Sequence, residues 1–94
     1  MFVVYAIKSF TTGRIYIGQS NNLKGRLRDH NAGSVQSTKR DKPWTLLALQ
    51  SVENRKEAMN VEWTLKKSKG ARLRWLERHR IREEAVAQKE NAKS

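Results

Sequence analysis

Phe2 to Phe10 is an apolar, β-branched run, Thr11-Thr12-Gly13 is turn chemistry, and Arg14 to Gly18 is a second strand-like run. Together they predict a β-hairpin. A two-residue Thr11-Thr12 loop pairs Tyr5 with Gly18 and puts Tyr5 and Tyr16 on one face. A three-residue loop through Gly13 separates the tyrosines, because a one-residue slip reverses every side chain. Asn21-Asn22 supplies N-cap chemistry for a helix from Leu23 to between Asn31 and Gly33, where Asn or Gly can take the left-handed cap. Leu23 and Leu27 give that helix a buried stripe, with Arg26 and His30, four apart, together on the neighbouring one. Ser34 to Pro43 has no apolar periodicity and reads as a basic loop. Pro43 then introduces Trp44 to Ser51, a third and mostly buried strand.

Asn54 with Glu57 three residues later resembles a capping box, opening a second helix that runs to about Lys67. Ala58, Val61 and Leu65 form its inner stripe, and Glu62 lies close to that stripe rather than opposite it. Ser68-Lys69-Gly70 is a break. Ala71 to about Arg82 is a third helix, with Leu73, Trp75, Leu76 and Ile81 for burial. The expected architecture is α/β, a small three-stranded, mostly antiparallel sheet flanked by helices. The domain is expected over residues 1–82, with a polar, helix-prone tail over 83–94.

Composition narrows the function. A chain of 94 residues makes one domain, since a fold of this size buries only about 60–65% of what its unfolded chain exposes. A formal charge of +11, from 20 Lys and Arg against 9 Asp and Glu, attracts polyanions, and nucleic acid is the leading partner. No membrane-spanning run or lipid anchor is evident, and the apolar start lacks the basic flank of a signal sequence, so a cytoplasmic location is expected. The absence of cysteine removes disulfides, thiol catalysis and cysteine-bound zinc. Two histidines are too few for a histidine-rich site, so any metal is a hard ion such as Mg²⁺ or Mn²⁺.

Tyr5, Tyr16, Arg26, His30 and Glu62 combine phenol, guanidinium, imidazole and carboxylate, a set suited to cutting a phosphodiester. Each has an ordinary alternative: packing for the tyrosines, solvation or phosphate contact for Arg26, helix-dipole complement for His30, and an ion pair for Glu62. Hydrolysis needs charge neutralisation on the phosphate and help for the leaving alkoxide. One carboxylate, Glu62, suits a single divalent ion, and Arg26 stays cationic to hold the phosphate as charge builds. Lys39, Arg40, Lys42 and Lys69 are the expected contacts to the nucleic-acid backbone.

From Phe2 to about Lys69 the chain resembles the GIY-YIG endonuclease superfamily, and looks most similar to its small stand-alone members. Val3-Val4-Tyr5 corresponds to the first signature tripeptide and Tyr16-Ile17-Gly18 to the second. Arg26 and His30 match the arginine and the residue four later, and Glu62 in EAMNVEWTLKK matches the metal-binding glutamate. Asn31, Thr38 and Pro43-Trp44 also follow the small-member pattern. Val3 stands in place of a glycine, and an asparagine that larger members carry after the glutamate has no counterpart.

The resemblance implies a metal-dependent DNA endonuclease in which a tyrosine helps activate water, with Tyr5 and Tyr16 both in the site. His30 would orient a tyrosine or contact the phosphate. With no separate reading module, specificity is expected to be structure-directed or weakly sequence-dependent unless a protein partner supplies it, as suits repair or recombination. The rivals are a non-catalytic basic nucleic-acid-binding module and a basic scaffold for acidic proteins.

Overall fold

The sheet forms first in the logic of the chain. In the computed structural model, which describes residues 1–81, β1 (Phe2–Ser9), β2 (Ile15–Ser20) and β3 (Trp44–Val52) form one sheet in the order β2-β1-β3. Both pairings are antiparallel. The hairpin register sets Tyr5 opposite Gly18 and Ile7 opposite Tyr16, so the two tyrosines share a face. The turn meets this register with Gly13 in the left-handed region at φ 76°, its N–H donating to the Ser9 carbonyl at 3.0 Å.

β3 carries a bulge. Ala6 pairs with Ala48 but Ile7 pairs with Leu46, leaving Leu47 as the extra residue. The bulge shifts the alternation, so Leu46 packs on one side of the sheet while Leu47 and Ala48 both pack on the other.

Two cores result. On one face Tyr5, Ile7 and Trp44, with Val3, Tyr16 and Leu46, pack under Leu23 and Leu27 of α1 (Leu23–Ala32). On the other, Val4, Ala6, Ile17, Ala48 and Val52 pack against Ala58, Leu65 and Trp75 of α2 (Arg55–Lys67) and α3 (Lys69–His79). Each fully buried large apolar side chain contributes about 1.5–3 kcal/mol, so a domain this small depends on filling both.

The helix ends depart from expectation in three places. Asn54 caps α2 as anticipated, accepting from Glu57 N at 2.9 Å, but the Glu57 carboxylate bonds the N–H of Glu53 rather than that of Asn54. The break before α3 is confined to Ser68, which closes α2 and caps α3 by accepting from Ala71 N. Lys69 and Gly70 are helical, since the serine cap makes Gly70 part of the first turn. α3 ends at His79, and Leu73 and Ile81 are exposed rather than buried. Leu73 precedes Trp75 by two positions, about 200° around the helix, so burying Trp75 turns Leu73 outward.

The Ser34–Pro43 segment is a loop with one 3₁₀ turn, Lys39–Asp41. Arg14 fixes it to the hairpin, donating to Asp41 Oδ2 at 2.8 Å and to the Ser37 carbonyl at 2.9 Å. No helix among the described residues is long and apolar enough to cross a membrane. The expected boundary at residue 82 and the tail over 83–94 lie outside the described residues.

Candidate active site

The shared face of Tyr5 and Tyr16 is where the candidate residues gather. Asn22 caps α1 by accepting from Gly25 N at 3.1 Å, and Gly33 closes it in the left-handed conformation at φ 80°. Between these caps, four-residue spacing directs Arg26 and His30 toward the sheet, and His30 is the buried residue of the helix.

His30 has no exposed surface and holds a partner on each ring nitrogen: Tyr5 Oη at 2.8 Å from Nε2, and Thr38 Oγ1 at 2.8 Å from Nδ1. Thr38 is also fully buried, and its hydroxyl donates to the Val35 carbonyl at 3.4 Å. That donation fixes the direction of the chain. Thr38 accepts from Nδ1–H, Nε2 carries the lone pair, and the Tyr5 hydroxyl donates to it. The Trp44 indole N–H holds the Thr38 carbonyl at 2.9 Å, tying β3 to the loop that supplies the threonine.

Tyr16 packs edge-on to His30, with ring centroids 5.1 Å apart, and to Trp44 at 6.4 Å. Gly18, opposite Tyr5, leaves the phenol its space: a Cβ there would lie 2.6 Å from Tyr5 Oη and 2.8 Å from Cζ. The glycine of the YIG tripeptide is thus required for room.

Electrostatics separate the two titrating groups. Burial pushes the Tyr5 phenol up to about 12, with the neighbouring Arg26 pulling it down and the Tyr16 and Glu62 charges adding to the rise. Tyr5 is therefore a phenol at neutral pH. Burial, then the Arg26 charge, holds the His30 imidazole below its ordinary value, with Asp29 opposing. The histidine is neutral, with Nε2 free to take a proton.

Glu62 approaches from another direction. α2 packs its inner stripe on the sheet face opposite α1, running along the edge strand β2. Glu62 and Lys66 come round that edge: the Lys66 Nζ bonds Glu62 Oε2 at 2.9 Å and lies 5.7 Å from the Tyr16 ring centroid. Tyr16 thus meets His30 of α1 and Lys66 of α2, so the helices on opposite faces contribute to one locus.

Among the described residues no group of three or more His, Asp or Glu side chains comes together. Glu62 is the single carboxylate of the locus, and its side chain keeps 22% of its surface exposed. One carboxylate, with water and substrate phosphate oxygens, is a donor set that Mg²⁺ takes readily.

Lys39, Arg40 and Lys42 are exposed on the segment that Arg14 anchors, and Lys69 is exposed at the start of α3, a separate part of the surface. Two participants went unassigned by sequence reasoning. Lys66 had a signal, its four-residue spacing from Glu62. Thr38 had one in the small-member pattern, but its pairing with His30 could not be read from a loop without periodicity.

Residues 1–79 match a family model described as the GIY-YIG catalytic domain. The chain is also 32% identical over 74 residues to a UPF0213 protein of Bacillus velezensis, covering 77% of this chain and 75% of that one.

Proposed function

The chain belongs to the GIY-YIG family of nuclease domains, and from that premise we propose that it is a divalent-metal-dependent endonuclease hydrolysing DNA phosphodiester bonds. The observation that carries the proposal is a geometric convergence: His30 bonded to the Tyr5 hydroxyl, Tyr16 packed against His30, and the Glu62–Lys66 pair brought to the Tyr16 ring from the other helix. We read it as structure-directed or weakly sequence-specific, acting in repair or recombination.

A phenol with its pKa near 12 is not by itself a base at neutral pH. The buried relay supplies what it lacks. As a water attacking phosphorus gives its proton to Tyr5 Oη, the phenolic proton passes to Nε2 of His30, while Nδ1–H stays on Thr38. Phosphorus gains the hydroxyl oxygen, the alkoxide leaves, and the ring becomes an imidazolium. Arg26 holds the non-bridging oxygens as charge builds on them, and this interaction strengthens in the transition state. A divalent ion held by Glu62 would neutralise charge on the phosphate and on the departing oxygen. Lys66, which holds that carboxylate at 2.9 Å, would then be available to the phosphate. Lys39, Arg40, Lys42 and Lys69 carry the flanking backbone.

The Glu62–Lys66 ion pair favours a second reading, a non-catalytic DNA-binding module whose carboxylate is already neutralised. A cleavage and binding assay decides, across single-stranded, duplex, flapped and branched DNA with Mg²⁺ or Mn²⁺. Glu62→Gln is expected to abolish cleavage with DNA affinity kept or raised. Arg26→Ala is expected to lower turnover by about 100-fold or more with a small loss of affinity. Duplex affinity should fall with salt at a log–log slope of about −0.9 per neutralised phosphate, flattened slightly by each Lys→Ala change at Lys39, Lys42 and Lys69. Wild-type turnover in both variants refutes the assigned site, and a wild type inert with every substrate and ion establishes the binding module.

A further inference from the structure

α2 turns Ala58, Val61 and Leu65 to the core and leaves two large apolar residues in water one turn apart, Met59 at 54% and Trp63 at 62% exposure. The other two tryptophans behave differently. Trp44 and Trp75 are buried and donate their indole N–H groups to the Thr38 carbonyl and to Gln50 Oε1. Trp63 meets no acceptor among the described residues and belongs to neither core. Tryptophan is also a poorer helix former than alanine, leucine or lysine, so the fold gives no reason for it.

Its surroundings do. Trp63 follows Glu62 directly, and at 100° per residue it stands about 60° from Lys66 and about 40° from Lys67 around the helix. The Lys67 ammonium lies 4.4 Å from the indole centroid. An exposed indole set among cations, next to the carboxylate of the proposed site, is the combination that proteins use to stack an unpaired base while neutralising its backbone.

Resting on the nuclease reading above, we propose that Trp63 is a stacking platform for one nucleobase beside the scissile phosphate. In continuous duplex both faces of each base are already stacked, so the preferred substrate presents an unpaired nucleotide there, in a single strand, flap or bulge. Lys67 meets the adjoining phosphate. A protein partner could use the same apolar pair, but Lys56, Lys66 and Lys67 on this helix favour a polyanion.

The test uses the full chain carrying Glu62→Gln, so that binding is measured without cleavage. Because Trp44 and Trp75 are buried, a stacked base quenches mainly Trp63 fluorescence. Single-stranded DNA is expected to quench it, continuous duplex of the same sequence to leave it nearly unchanged, and duplex with one unpaired nucleotide to restore the quench. Adding Trp63→Ala is expected to weaken single-strand binding about 5- to 150-fold, the range of one base–aromatic stack, and duplex binding less than twofold. Trp63→Phe should keep affinity within about threefold while losing the quench. An abasic nucleotide walked along the strand should weaken binding at one position, and at none in the Trp63→Ala protein. Equal losses on duplex and single strand, or no sensitive position, overturn the platform; so does a Trp63→Ala effect confined to self-association. An inactive wild type that still shows the positional stacking pattern removes the nuclease reading and leaves the platform standing.

Discussion

Gly18→Ala adds one methyl group in the most crowded part of the site. Gly18 lies outside the positive-φ region, which only Gly13 and Gly33 among the glycines enter, so the backbone tolerates alanine and the penalty is spatial. The new Cβ would stand 2.6 Å from Tyr5 Oη, 2.8 Å from Cζ and 3.1 Å from Tyr16 Cε1. Tyr5 has nowhere to retreat, because its hydroxyl is held at 2.8 Å by a histidine that Thr38 holds in turn. Overpacking a filled core costs about 1–3 kcal/mol, and pulling the phenol off a buried acceptor adds about 1 kcal/mol or more. A total of about 2–4 kcal/mol lowers the melting midpoint of a domain this size by at least about 8 °C. Thermal and urea unfolding followed by circular dichroism measure it. Tyr5→Phe removes the atom nearest the new methyl, so in a double-mutant cycle the pair should be less destabilised than the sum, by about 1 kcal/mol. A Gly18→Ala protein melting within about 2 °C of wild type, or strict additivity with Tyr5→Phe, refutes the reasoning.

Two further outcomes follow from the relay. Thr38→Val keeps the shape but leaves the His30 Nδ1–H unpaired, so stability should fall by about 1–3 kcal/mol; nitrogen chemical shifts should show the proton leaving Nδ1 for Nε2, and an unchanged tautomer with unchanged stability rejects the assigned direction. The pH dependence has two limbs of defined sign. Tyr5, raised from 10.0 to about 12, contributes stability that is complete below pH 10 and is lost as pH climbs toward 12, up to about 2–3 kcal/mol. His30, held below its ordinary 6.5, contributes stability that is complete above that value and is lost as pH falls beneath it. Unfolding titrations should show both limbs in wild type, the alkaline one flattened by Tyr5→Phe and the acid one by His30→Gln.

The elements were legible wherever a periodicity and a cap agreed. α1 and α2 begin at the asparagines that the sequence nominates, because an asparagine oxygen ahead of the first turn satisfies N–H groups that nothing else can. The tyrosine register stayed open in the sequence because either turn length satisfies the same alternation, and only the closed hairpin selects between them. Gly70 looked like a break because glycine is a poor helix former, yet the Ser68 cap outweighs a single glycine in a first turn. Leu73 and Ile81 were assigned inward by their apolarity, whereas the angular position of Leu73 around α3 turns it outward and Ile81 lies beyond the end of that helix. Arg26, His30 and Glu62 could be placed near the site from helix spacing and family resemblance. Their approach from opposite sides of the sheet could not, since it depends on how α2 lies along β2.

The Leu47 bulge gives this small sheet a change of phase. On one side of it, β3 offers Trp44 and Leu46 to the face that α1 covers; on the other, Leu47 and Ala48 turn together to α2 and α3. Were Leu47 paired in register instead of bulged out, unbroken alternation would reverse the N-terminal half of the strand relative to the rest. Trp44 would face away from the Thr38 carbonyl that its indole holds, and the buried proton chain would lose its outer wall. A single bulged position in one strand thus sets which way Trp44, and the loop it holds, face.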